Sequence, residues 1–259
     1  MSETEIETKP KRKHIEVTAK VMKIYSAITL GMYLLAESVF MRGILHSDAY
    51  SSAEFQTLLS ENPDVMSTAT FASILEILGG LCIPVLAFLL VEGFMHTGSF
   101  TGYLKRILLF AVISVVPYSL AMSGKVFDSA DTNLFVSLAI ALVMLYGLRL
   151  IQTRTNKIVR ILLSAVIIFA AVLWTLLFNS QFGMVIVLLC AVYYLLYDNK
   201  GLKVLLGCAV SAAYVSAMFS GYLLWGYSGK REENTNKYLW YALYPVTLLV
   251  FAGITALIG

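Results

Sequence analysis

Charge is scarce in this 259-residue chain: Asp, Glu, Lys and Arg together make up 14% of it, against 59% hydrophobic residues. A soluble domain carries about a quarter charged residues. So little polar surface excludes a domain that keeps its apolar side chains out of water. Cysteine is almost missing. Cys82, Cys190 and Cys208 form no CxxC pair, have no histidine close in sequence and fall inside apolar runs. That pattern excludes a disulfide framework and a zinc site, leaving three small packing residues. No internal repeat is visible, which argues against a transporter assembled from inverted halves. The polar run SETEIETKPKRKH near the N-terminus has neither the apolar core nor the small-residue cleavage site of a signal peptide. The first apolar run is therefore expected to stay in the mature protein.

What the chain does have is apolar length. A helix of roughly 20 apolar residues crosses a bilayer core, and eight runs approach that length: 22–41, 67–95, 105–122, 132–148, 159–178, 182–197, 202–226 and 238–258. The expected fold is all-α, a polytopic transmembrane helical bundle of about eight spans. Residues 22–259 form one transmembrane domain, preceded by a cytoplasmic basic tail over residues 1–21. Lysine and arginine set the orientation, because positive residues are retained on the cytoplasmic side. An internal N-terminus places 14 of the 19 in the cytoplasm and leaves Arg42, Lys125, Lys230, Arg231 and Lys237 outside beside eight acids. Both termini are then cytoplasmic, and the loop SGKREENTNK is external, with Trp225, Tyr227, Tyr238 and Trp240 flanking it as an aromatic belt. The net charge of +3 reads as a topology signal, with the tail facing anionic lipid headgroups and no nucleic acid implied.

The second span is unusual. It reads ILEILGGLCIPVLAFLLVEGFMH, with Gly79 and Gly80 ahead of Pro84, so a kink or local unwinding is expected. Acids within spans are expensive and are candidates for function. Glu37 and Glu76 fall near span ends, where water or headgroups can solvate them, whereas Glu92 is deeper. His96 follows it by four residues, on the same helix face. Two readings fit that spacing: a carboxylate orienting an imidazole for general-base chemistry, or a histidine capping the helix while Glu92 pairs with Lys105 or Arg106. The following TGSFTGYLKR adds glycines, hydroxyls and two cations, suited to an anionic ligand.

The segment from Leu81 to Ala121 resembles the signature region of the TraX family of membrane proteins. The likeness is carried by a proline and aromatic-aliphatic run, then EGFMHT, YLKR and SVVPY. Weaker matches follow in order: NLFVSLAIAL, FGMVIVLLCAVYYLL and KYLWYALYP. The resemblance implies transfer of an acetyl group from cytoplasmic acetyl-CoA to an amine or hydroxyl acceptor such as a pilin or other peptide. It implies Glu92 and His96 as catalytic residues, and Thr97, Tyr103, Lys105 and Arg106 as residues that meet the cofactor. The chain departs from the family pattern at four places. The first span, AITLGMYLLAESVF, has no Asp-His pair; Gly80 stands for an arginine, Thr247 for a histidine and Gln181 for an acid. Two further readings stay open beside the acyltransferase: a degenerate member that binds or assembles without catalysing, and a small transporter relaying protons through Glu92.

Overall fold

The computed structural model describes residues 17–152, 156–230 and 237–258. Most of the basic tail, the tip of the loop SGKREENTNK and Arg154 lie outside them. The described residues form a helical membrane bundle, as the apolar runs require.

The first helix, α1 (Ala19–Leu35), starts at an N-cap, Thr18, and runs on as a π-helix over Ala36–Ile44. On the far side a short helix, α2 (Ser52–Glu61), opens with a capping box made by Ser51 and Glu54. The chain then re-enters through α3 (Pro63–Gly79), capped by Asn62, and α4 (Cys82–Met95). It returns through α5 (Phe100–Ile113) and α6 (Val115–Ser123), bent by 42° from one another. Next come α7 (Leu134–Gln152), α8 (Lys157–Leu177) and α9 (Gly183–Leu195). The chain ends in α10 (Lys200–Ser211), the short α11 (Gly221–Gly226) and α12 (Lys237–Ile258).

Proline sets both breaks in the paired helices. Its ring clashes with the carbonyl four residues back and it cannot donate to it. Four residues before Pro84 is Gly80, where α3 gives way to α4, and four before Pro117 is Ile113, the last residue of α5. Each proline thus stands in the first turn of the next helix, where its missing N–H costs nothing.

Five helical stretches are long and apolar enough to cross a membrane, and the bent pair makes a sixth. The expected count of about eight is therefore not what the bundle displays. Helix α9 has 13 residues, about 20 Å of rise against a hydrocarbon core of about 30 Å. It is tolerated because it packs among α4, α7, α8 and α10, with Ile186, Val187, Leu189 and Cys190 fully buried. Its ends are met by chain that dips inward: the Gln181 carbonyl accepts from Ser137 Oγ (2.6 Å), and Tyr194 Oη donates to Gln152 (3.2 Å). It therefore runs between the same two levels as α7.

The run 202–226, expected to cross, does not. Helix α10 enters the bundle, the chain turns around residues 212–216, and a 3-10 turn (Ala217–Ser220) with α11 brings it back. Cys208 Sγ meets the Met218 carbonyl at 3.2 Å across this hairpin. The returning end is tied to the start of α1, with the Val17 amide on the Gly226 carbonyl (3.2 Å) and the Ala19 amide on the Lys230 carbonyl (3.3 Å). The hairpin tip seats on the α3–α4 break. There Ser216 Oγ donates to the Ile77 carbonyl, and Ser220 Oγ donates to the Leu81 carbonyl at 2.7 Å. Carbonyls released by a broken helix in lipid need such partners.

One re-entrant hairpin changes the parity of the chain. Helix α12 starts where α1 starts, with the Lys23 ammonium 5.6 Å from the Trp240 ring. It ends beside the π-helix, with Thr255 Oγ1 donating to the Ser38 carbonyl at 2.9 Å. The two helices are parallel, so Val17 and Ile258 lie at opposite ends of the bundle. Among the described residues this differs from the expectation that both termini share one side. It differs too from the expected external placement of Lys230, which sits against Ala19, and of Tyr227 and Trp240, which face the N-terminal end. Charge agrees with this arrangement. Apart from Arg42 and Lys125, every lysine and arginine among the described residues lies in the half that holds Val17. Arg42 has a local reason to be elsewhere: its guanidinium donates to the carbonyls of Leu120 (3.1 Å) and Ala121 (3.4 Å) near the end of α6, where the helix dipole favours a cation.

Helices α1 and α3 meet backbone to backbone at Gly79. A Cβ there would lie 2.5 Å from Tyr33 Cβ and 2.6 Å from the Tyr33 nitrogen. Small residues permit such approaches between membrane helices. Replacing Gly79 by alanine must separate α1 from α3, and is expected to cost about 1–3 kcal/mol. A lowered unfolding midpoint in detergent is the readout.

Candidate functional site

Helix α4 ends at Met95 and His96 is its C-cap residue. The turn His96–Ser99 follows, and Ser99 caps α5 by accepting from the Gly102 amide (3.2 Å). This tight reversal carries EGFMHT onto the same end of the bundle as the first turns of α1, α5 and α12. Between those elements lies a cavity of about 450 Å³, within the range of small-molecule sites.

Its wall has two characters. Leu30 and Leu34 of α1, Leu86 and Leu90 of α4, and Leu134 and Leu138 of α7 make the inner part apolar. Towards the N-terminal end the lining turns polar, with Lys23, Glu92, His96, Thr97, Arg106 and Trp240. Five of the six residues expected at the site therefore line one cavity: Glu92, His96, Thr97, Tyr103 and Arg106. The sixth, Lys105, is not part of the lining and is exposed on α5, because one residue along a helix is a rotation of about 100°.

The two readings of Glu92 and His96 merge in the observed geometry. His96 Nδ1 lies 2.9 Å from the backbone carbonyl of Glu92 and 3.8 Å from its Oε2. The hydrogen bond is thus the capping one, and the carboxylate acts on the ring through space. A carbonyl only accepts, so Nδ1 carries the proton. In the neutral ring that leaves the Nε2 lone pair available, which is the state a general base needs. The imidazole is 43% exposed while the Glu92 side chain is 11% exposed, so the acid is sheltered and the base is reachable.

Glu92 has a cationic neighbour that the sequence did not suggest. Lys203 of α10 is buried and interacts electrostatically with Glu92. Its ammonium donates to the Tyr197 carbonyl (3.2 Å) and lies 5.3 Å from the Phe88 ring and 4.9 Å from the Tyr197 ring. The re-entrant hairpin thereby delivers a lysine behind the acid.

Opposite His96, Tyr103, Arg106 and Tyr241 form one polar cluster. The Tyr241 hydroxyl interacts electrostatically with Tyr103 and Arg106, and the guanidinium lies 5.7 Å from the Tyr103 ring. Gly93 makes the approach possible, since a Cβ on it would fall 2.7 Å from the Tyr103 hydroxyl. Gly93 is the second residue of the EGFMH motif, so its role was readable only as part of a pattern. Lys23, Trp240 and Tyr241 were not singled out as site residues. The one signal for Lys23 was a cation one turn inside α1.

The departures from the family pattern fall into two groups. Thr247 lines the cavity, and Gln181 accepts from Tyr244 Oη (2.7 Å), itself a lining residue. Gly80 instead packs at the hairpin tip, where an added Cβ would lie 3.2 Å from Ser216 Oγ.

No solved structure matches this chain. Among curated proteins it is similar to the probable fimbrial assembly protein FimC of Dichelobacter nodosus, at 28% identity over 200 residues, covering 69% of this chain and 82% of that one. The TraX protein family model matches residues 62–255, a stretch that runs from the N-cap of α3 to Thr255 in α12 and includes EGFMHT, the hairpin and most of the cavity wall. The chain belongs to the TraX family.

Proposed function

We propose that this membrane protein transfers an acetyl group from acetyl-CoA to a pilus-related polypeptide, with His96 as general base. The single observation that carries this reading is the pinned imidazole. Its Nδ1 is held on the Glu92 carbonyl at 2.9 Å, and the imidazole lines a cavity that Lys23 and Arg106 also line.

Acetyl-CoA supplies an acyl carbon activated as a thioester. The residues suit it in size and charge, since about 450 Å³ accommodates a small acyl arm, and Arg106 offers a guanidinium towards its phosphates. His96 Nε2 takes the proton from the acceptor amine or hydroxyl as that group becomes nucleophilic, and returns it to the departing sulfur. Glu92 steadies the imidazolium formed between those two moments. Tyr103 and Thr97 bring hydroxyls to the same wall, where they can donate to developing negative charge. The acceptor class is suggested by the fimbrial assembly relative and by family membership. The cationic end of the bundle is the cytoplasmic one by the retention of positive residues, which sets the cavity mouth on the side where acyl-CoA is made. We further place the protein in the bacterial cytoplasmic membrane, with the C-terminus on the far side.

The test uses the purified protein in detergent with radiolabelled acetyl-CoA and membranes of the producing cell. Label should move to a polypeptide. Thr247 and Gln181, standing where the family carries ionisable groups, favour a second reading as a binding or assembly component. In that case CoA thioesters bind and all label stays in them.

A further inference from the structure

The cavity contains donors that nothing among the described residues satisfies. Arg106 Nε and Trp240 Nε1 are both buried, and neither has a hydrogen-bond partner among the described residues. Both residues line the same cavity, as does Lys23, whose ammonium stands 5.6 Å from the Trp240 ring. A buried donor left without a partner is costly, so two in one polar wall point to a ligand. They come from different helices, α5 and α12, and Lys23 adds a third, α1. A guanidinium, an indole N–H and an ammonium thus line one cavity from three helices. That arrangement suits a tetrahedral oxyanion, with acceptor oxygens in several directions, better than a planar carboxylate. Past it the wall becomes leucine, from Leu30 and Leu34 to Leu134 and Leu138.

We propose that Lys23, Arg106 and Trp240 form a phosphate subsite, and that its ligand is a phosphate ester carrying an apolar chain that lies along the leucine wall. Two sources share that chemistry: the phosphates of an acyl-CoA and the headgroup of a phospholipid. The subsite deepens the acyl-transfer reading and rests on it where the ligand is the acyl donor. The binding itself depends on no chemistry at His96.

The chain has three tryptophans. Replacing Trp174 and Trp225 by phenylalanine leaves Trp240 as the sole reporter, placed at the subsite. The full-length protein in a neutral maltoside detergent is titrated with dodecyl phosphate while Trp240 emission is followed. A saturable change is expected, weakened at least about tenfold in K23Q and in R106Q, the loss of one charge-assisted hydrogen bond, and largely kept in Arg106→Lys. Each variant is first shown to elute as the parent does; should R106Q fail to fold, K23Q alone decides. Coenzyme A displacing dodecyl phosphate assigns the subsite to the donor. Phosphatidylglycerol displacing it, with coenzyme A failing, assigns it to a headgroup. A silent Trp240 with all three phosphates, or a change indifferent to both charge-removing variants, overturns the proposal. His96→Ala should bind dodecyl phosphate as the parent does, so the two readings fail separately. Phosphate binding without acetyl transfer removes only the enzyme, and acetyl transfer with a silent Trp240 removes only the subsite.

Discussion

Replacing His96 by alanine is expected to lower acetyl transfer by about 10²–10⁴-fold, the range for losing a positioned acid-base group, while coenzyme A binding is largely kept. Alanine also removes the donor to the Glu92 carbonyl, so the end of α4 could loosen and mimic a catalytic loss. Asparagine separates the two effects. Its amide can still donate to that carbonyl, but it has no basic nitrogen. His96→Asn should therefore unfold at the parent's midpoint and be as inactive as the alanine variant. Recovery of activity by asparagine would mean that position 96 only caps the helix. Replacing Arg106 should show the opposite division, raising KM for the acyl donor before kcat falls.

The second large effect is all-or-none. With the cationic end of the bundle in the cytoplasm, alkaline phosphatase fused after residue 259 should be active, and Lys230→Cys should be shielded from a membrane-impermeant maleimide that marks Glu61→Cys. The parallel run of α1 and α12, fixed at one end by Lys23 with Trp240 and at the other by Ser38 with Thr255, demands that pattern. If residues 202–226 crossed the bilayer, Lys230→Cys would react and the fused phosphatase would be inactive.

That difference shows what a sequence of this kind can and cannot display. Apolar length and the positions of proline are local properties, so the helices and the breaks before Pro84 and Pro117 were legible in the residues themselves. The grouping of Glu92, His96, Thr97, Tyr103 and Arg106 was legible too, because a short turn keeps residues 92–106 together. The hairpin was not. A run of 25 apolar residues that turns back has the same hydropathy as one that continues. What turns it is a set of serines whose acceptors, the carbonyls of Ile77 and Leu81, lie 139 residues away in sequence. Lysine counting gave a satisfactory topology with the hairpin misread, because Glu232 and Glu233 made an external loop look plausible. Lys203 and Trp240 stayed hidden for a related reason: each reaches the cavity from a helix that only the folded chain brings there.

The seat of the hairpin also has a consequence for the order in which the protein can be made. Helices α3 and α4 leave the ribosome long before Ser216 and Ser220 exist, and until those hydroxyls arrive the Ile77 and Leu81 carbonyls sit at a helix break inside the membrane. Over most of its synthesis the nascent chain must shelter that break by other means, in the insertion machinery or against water. The arrival of the hairpin then closes it and in the same movement brings Lys203 behind Glu92. Completion of the acidic wall of the cavity is thereby tied to completion of the membrane fold, so a chain interrupted before residue 211 would present a misassembled helix pair to quality control and no finished site to a substrate.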